Sequence, residues 1–158
     1  MISQIFIVLT ISIYIYWVKQ KRRIIGENYL TRYFIIPKNR WFNIYLHRYT
    51  GSDDDRALHD HPWRSMSILL KGDLIEIIEQ GTHDGKNFFH LCRAIERFEP
   101  FYRDAEYKHR IVLKSDVAWT LFFTGSVVRE WGFHCHNGWG HWSDFTDESG
   151  NGVGKGCD

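Results

Sequence analysis

Apolar and polar residues alternate one for one over much of this chain, the mark of extended segments with two unlike faces. In "RWFNIYLHRY" (40–49), Phe42, Ile44 and Leu46 fall on one face and Asn43, Tyr45 and His47 on the other. A solvated outer surface is the first expectation for that polar face, and the mouth of a barrel the second. "SMSILL" (65–70) runs into the turn triplet Lys71-Gly72-Asp73 and then into "LIEII" (74–78). "GTHDGKN" (81–87) reads as a hairpin loop before "FFHLCR" (88–93). "YKHRIVL" (107–113) precedes the turn Lys114-Ser115-Asp116, and "VAWTLFFTG" and "VVREWGFH" complete the series. Seven or eight short strands, about ten residues apart and without a helix among them, predict an all-β sandwich or small closed barrel over residues 29–146.

The first residues break this pattern. "MISQIFIVLTISIYIYWV" is apolar all round a helical projection, and Lys19, Lys21, Arg22 and Arg23 follow at once. As a helix, residues 2–18 would extend ~25 Å, against roughly 30 Å of hydrocarbon in a bilayer. The segment reads two ways. It is a membrane anchor whose basic cluster holds the domain on the cytoplasmic face, or it is an element packed on the domain. Alternation of Ile11, Ile13, Ile15 and Trp17 with Ser12, Tyr14 and Tyr16 would make that packed element a strand. A cleaved signal peptide fits poorly, since no basic stretch leads the apolar run and no small-residue site ends it. Residues 1–23 thus stand apart from the domain, as does the glycine-rich tail 147–158. In that tail "GNGVGKG" is no phosphate loop, because Ser149 stands where the first glycine belongs and Gly156 replaces the Ser/Thr.

Composition adds limits. A chain of 158 residues holds one well-buried core. Its net charge of +1 lacks the basic footprint of a nucleic-acid binder. Seven tryptophans point to an aromatic core or an aromatic-lined pocket. The three cysteines, Cys92, Cys135 and Cys157, are odd in number and scattered, and read as reduced thiols in a cytoplasmic protein.

The chemistry concentrates in "RALHDHPWRSMSILLKGD" (56–73). Residues two apart in an extended segment share a face, so His59 and His61 can converge on one ion, or they can cap a turn. His109, at the head of a later apolar strand, is the candidate third ligand. Strand parity places Trp63, Ser65 and Ser67 with the two histidines, and Tyr107 and Ile111 with His109, which makes Ser65 and Tyr107 the catalytic candidates. Asp60 is a candidate acceptor for a ligand imidazole. A substrate carboxylate would need an arginine, for which Arg48, Arg56 and Arg129 are equally eligible. His134, Cys135, His136, His141 and Cys157 are either ordinary packing and surface groups or a structural zinc site. Asp53, Asp54 and Asp55 read as a solvated loop.

An H-x-H at His59 and His61, Gly72 eleven residues on and a third histidine on a later strand resemble the cupin superfamily of RmlC-like jelly rolls. The blocks "WFNIYLHRYTGSDDDRALHDHPW", "KHRI" and "WTLFFTG" with "REWGFHC" resemble short cupin-like proteins of bacteria and phages, most without an assigned reaction. The likeness implies a double-stranded β-helix, preceded here by the apolar segment. It also implies one divalent ion, Fe(II) or Zn, held by His59, His61 and His109 as in three-histidine dioxygenases. It further implies a small-molecule substrate and pairing into a homodimer through sheet edges. Ser65 stands where cupins carry a glutamate ligand, and Asp104 through His109 replaces the usual Pro-x-Gly-x-x-His, so the implied site lacks its carboxylate. Against a metal-dependent enzyme stand two other readings: a ligand- or sugar-binding jelly roll that uses tryptophans as a platform, and an interaction module with structural histidines.

Overall fold

A computed structural model describes residues 7, 10–17, 21–53, 57–81, 88–146 and 157. Among them are twelve strands: β1 (Arg22–Ile25), β2 (Leu30–Phe34), β3 (Asn43–Tyr49), β4 (Leu58–His59), β5 (Ser65–Lys71), β6 (Leu74–Gly81), β7 (Phe88–Ala94), β8 (Pro100–Arg103), β9 (His109–Leu113), β10 (Ala118–Thr124), β11 (Gly132–Cys135) and β12 (Gly138–His141). They form two six-stranded antiparallel sheets. Sheet A runs β1-β2-β3-β10-β5-β8 and sheet B runs β12-β11-β4-β9-β6-β7. The count exceeds seven or eight because β1, β4, β8 and β12 are four residues or shorter, too brief to show a period in the sequence.

Alternation drives the layering. The inward residues of β3 are Asn43, Tyr45, His47 and Tyr49, all under 9% exposed, whereas Phe42 just before the strand is 55% exposed. The expectation of a solvated polar face is therefore overturned. Asn43, Tyr45 and His47 point into the molecule, where Ser67, Glu76, Arg103, His109 and Thr120 are buried as well. The purely apolar core sits at one end of that space, where Leu30, Tyr49, Leu69, Leu74, Ile111 and Ala118 pack together. The turn from β5 to β6 seals this end. Gly72 has φ +86°, and a Cβ there would stand 2.4 Å from the Val117 carbonyl oxygen, so only glycine fits.

Residues 10–17 are helical (α1) and not extended, which corrects the strand alternative for that stretch. The Tyr14 hydroxyl of α1 donates to the Ile35 carbonyl. No described helix is long and apolar enough to cross a membrane. Residues 1–6, 8, 9 and 18–20 lie outside the described residues, and with them much of the anchor reading. A second short helix, α2 (Trp142–Phe145), follows β12, where only strands were expected. Cys135 at the end of β11 is disulfide-bonded to Cys157 across 22 residues of sequence. This corrects the reading of both as reduced thiols: two cysteines distant in sequence are brought together at the end of β11. Cys92 is free and exposed.

Candidate metal centre

The H-x-H segment occupies the middle of sheet B. His59, on the two-residue β4, stands opposite Phe133 of β11 on one side and His109 of β9 on the other. The chain then leaves the ladder, with the His61 amide donating to the Ala105 carbonyl at 2.9 Å. Pro62, two residues beyond Asp60, has no N–H to donate and cannot return the chain to the ladder. Two-residue parity brings His61 onto the face of His59, and cross-strand register adds His109. The three rings form a nearly regular triangle with centroids 4.9, 4.9 and 5.1 Å apart. Among the described residues it is the one group of histidines, cysteines and carboxylates arranged to hold an ion, its donor atoms within 4.8 Å of one another.

Two carboxylates absent from the sequence expectation stand behind the triangle. Glu76, fully buried on β6, meets His109 Nδ1 at 2.6 Å. It also accepts from Arg103 Nε at 2.6 Å and from an Arg93 amino group at 2.6 Å. Burial alone would raise its pKa, but the His109 hydrogen bond and the Arg103 charge outweigh that and hold it at about 2. An ionised Glu76 fixes the proton of His109 on Nδ1 and leaves Nε2 bare. Asp53 Oδ2 lies 3.5 Å from His59 Nδ1 and accepts from the Ile111 amide at 3.1 Å, so Asp53 is a structural partner and not a residue of a solvated loop. Asp54 and Asp55 lie outside the described residues.

Two of the three imidazoles, His61 and His109, are neutral. Burial lowers the His109 pKa to about 4, against the opposing pull of Glu76. Burial and the neighbouring imidazoles push His61 well below 6.5. His61 Nε2 and His109 Nε2 face each other at 2.9 Å. Two nitrogens each about 2.1 Å from one ion and at right angles to it stand about 3 Å apart. The distance, the neutral rings and the carboxylates behind them therefore fit a divalent cation.

The triangle opens on a cavity of about 60 Å³ between the sheets. Its far wall includes Arg32, His47, Ser67, Arg103 and Thr120. Arg103 is 4% exposed and also donates to Ser67 Oγ at 2.7 Å. Neither catalytic candidate lines this cavity. Ser65 is buried with no partner for its hydroxyl, and the Tyr107 hydroxyl backs Glu76 at 3.3 Å and accepts from Arg93 at 3.0 Å.

Asp60 touches none of the three imidazoles. It accepts instead from the Gly132 amide, His134 Nε2 and Trp139 Nε1, and pairs with Arg129 at 3.0 Å. That uses Arg129, while Arg48 lies outside the cavity lining and Arg56 outside the described residues. The zinc alternative at the C-terminal end is excluded by the same contacts. Cys135 and Cys157 are joined to each other, His134 is bound to Asp60 and His141 to Glu130 at 3.1 Å.

Neither a sequence-family model nor a curated protein matches the chain. Solved structures do. An oxalate decarboxylase of Bacillus subtilis superposes with a TM-score of 0.50 at 14% identity over 68% of this chain and 28% of its own. A second oxalate decarboxylase structure gives 0.50 at 13% identity over the same shares, 68% and 28%. The fold is the cupin jelly roll. The hydroxypropylphosphonic acid epoxidase from S. wedmorenis gives 0.48 at 12% identity over 66% of this chain and 56% of its own. The chain thus spans little more than a quarter of the decarboxylase and about half of the epoxidase, and at these identities the likeness is one of fold. In this chain Glu76 stands on the outer side of His109, at its Nδ1. A faint signal marks the residues that sequence reading missed. Glu76 in "LIEII", Arg32 in "LTRYF" and Arg103 in "PFYR" each interrupt the apolar parity of a strand.

Proposed function

We propose that the chain is a mononuclear metal-binding cupin, an enzyme acting on a small polar molecule, with His59, His61 and His109 as the ligands. The observation that carries this reading is the imidazole triangle, backed by Glu76 and Asp53 and facing a cavity between the sheets. Three imidazoles suit Zn2+ or Fe2+. A bound ion would supply a Lewis acid with open positions, serving polarisation or hydrolysis as Zn2+ and oxidation of a chelated molecule as Fe2+. The chain's own part is to keep His61 and His109 neutral by burial, to fix the His109 tautomer through Glu76 and to hold the bound molecule between the sheets.

Metal content measured by emission spectroscopy on freshly purified protein tests this. One divalent ion per chain is expected, falling to background in His59→Ala/His61→Ala. Equal metal in both proteins would remove the site assignment. A chelator should also lower the melting temperature of the wild type and leave that of the double variant unchanged.

A further inference from the structure

One rung of sheet A carries a positive charge that the protein leaves unmatched. Arg32, His47, Thr120 and Leu69 are successive register partners across β2, β3, β10 and β5. Arg32, His47 and Thr120 line the cavity opposite the imidazole triangle. Arg32 Nε donates to His47 Nε2 at 2.9 Å, and the guanidinium lies over the Tyr45 ring, 4.6 Å from its centroid. Both neighbours are uncharged: burial first, and then Arg32 itself, keeps the His47 pKa well below 6.5. No carboxylate among the described residues pairs with Arg32. With Nε committed to His47, its two terminal amino groups remain, the edge that grips a carboxylate through two parallel hydrogen bonds.

Thr120 is an independent sign of a missing partner. It is 3% exposed and lines the same cavity. Its Oγ1 lies toward the Tyr49 hydroxyl but meets no partner at hydrogen-bond geometry. A buried hydroxyl left in this state lowers stability unless a ligand supplies the bond. No aspartate or glutamate lines the cavity. Glu76 and Asp53 stand behind its wall, committed to Arg103 and His109 and to the Ile111 amide. A water occupies roughly 10–15 Å³ of such space, so a cavity of about 60 Å³ holds about four to six non-hydrogen atoms.

We propose that the cavity binds a small carboxylate of two or three carbons. The terminal amino groups of Arg32 and the Thr120 hydroxyl hold its carboxylate, and its other end faces His59, His61 and His109. The far end rests on the metal reading above, and the Arg32–Thr120 end does not.

Nuclear magnetic resonance titration of the chelated chain isolates that end. The probes are acetate, pyruvate, hexanoate and inorganic phosphate. Acetate and pyruvate should bind in the cavity, with hexanoate and phosphate at least about tenfold weaker. Arg32→Gln should weaken the two short acids by about tenfold or more, with its metal content unchanged. Thr120→Val keeps the shape but loses the hydroxyl. It should weaken the same acids several-fold while raising the melting temperature of the ligand-free protein, a pairing that a merely structural role would not produce.

Absence of acetate and pyruvate binding to the wild type overturns the inference. So does wild-type affinity in both variants, hexanoate binding as tightly as acetate, or phosphate binding more tightly than either acid. Should Arg32→Gln fail to fold, Thr120→Val decides alone. Arg32-dependent acetate binding by a chain that carries no metal when freshly purified, and takes up none when Zn2+ or Fe2+ is added, would overturn the metal reading and leave this one standing. Metal bound at full stoichiometry with acetate indifferent to both variants would do the reverse.

Discussion

Glu76 holds three positive or proton-bearing groups at once. Its two oxygens serve His109, Arg103 and Arg93, with the Tyr107 hydroxyl as a fourth donor at 3.3 Å. Glu76→Gln conserves the shape and removes the charge, which leaves the buried Arg103 guanidinium without its counterion. Breaking a buried pair in this way costs about 3–5 kcal/mol, to be read from denaturant unfolding of the chelated protein. Because the amide can present its N–H to His109 Nδ1, it also unsettles the tautomer, and metal affinity should fall by about 10–100-fold. Tyr107→Phe is the control: the loss of one hydroxyl should cost about 1 kcal/mol and leave metal affinity within a few-fold of wild type. A glutamine variant that keeps its metal affinity would reduce Glu76 to a role in packing.

At the scale of elements, the metal triangle depends on β4, which is two residues long. So short a strand has few ladder bonds, and side chains hold it in place. Asp60, 1% exposed, closes the connection to β11 by accepting from the Gly132 amide at 2.8 Å while its own amide donates to the Gly132 carbonyl at 3.0 Å. Burial would raise its pKa, but the bonds from His134 and Gly132 and the Arg129 charge hold it at about 2. Asp60→Ala strands all these donors and should cost about 3 kcal/mol. It should also weaken metal binding without altering the ligand set, since His59 and His61 flank it. Unfolding and metal competition on the same variant check both outcomes, and metal binding unaffected by a large loss of stability would show that β4 is positioned from the β9 side.

At the scale of the molecule, two sheets enclose a partly polar interior, and stability must therefore follow pH. His47 and His61 are held well below 6.5 by burial, and His109 at about 4. These three stay neutral in the folded chain while the unfolded chain protonates near its ordinary value of 6.5. Unfolding thus takes up protons, and stability present at neutral pH is lost as pH falls from 6.5 toward about 4. Glu76 and Asp60 extend the decline. Their pKa values of about 2 lie below the ordinary 4.5 and 3.8, so their contribution is present above those values and lost toward pH 2. In the chelated protein, unfolding free energy should fall by on the order of 1 kcal/mol per pH unit for each such histidine below about pH 6. Denaturant titrations at pH 7, 6 and 5 measure this, and a flat profile would mean that the rings are not held neutral by burial.

Period-two alternation was legible in the chain itself, and with it the all-β class, the turn at Lys71-Gly72-Asp73 and the shared parity of His59 and His61. These are local properties, set by side-chain direction along an extended backbone. The same pattern was silent on which face of β3 points inward. Alternation shows that two faces differ, and the usual inference that the apolar one is buried fails where polar side chains such as His47, Glu76, Arg103 and Thr120 are buried between the sheets. Pairings across long sequence separations were equally out of reach. Glu76 behind His109, Arg32 beside His47 and Cys135 bonded to Cys157 depend on strand order, register and contacts between residues distant in sequence. Those are settled only when the two sheets close, because closure alone decides which buried charges and hydroxyls find partners within the chain and which remain open to a ligand.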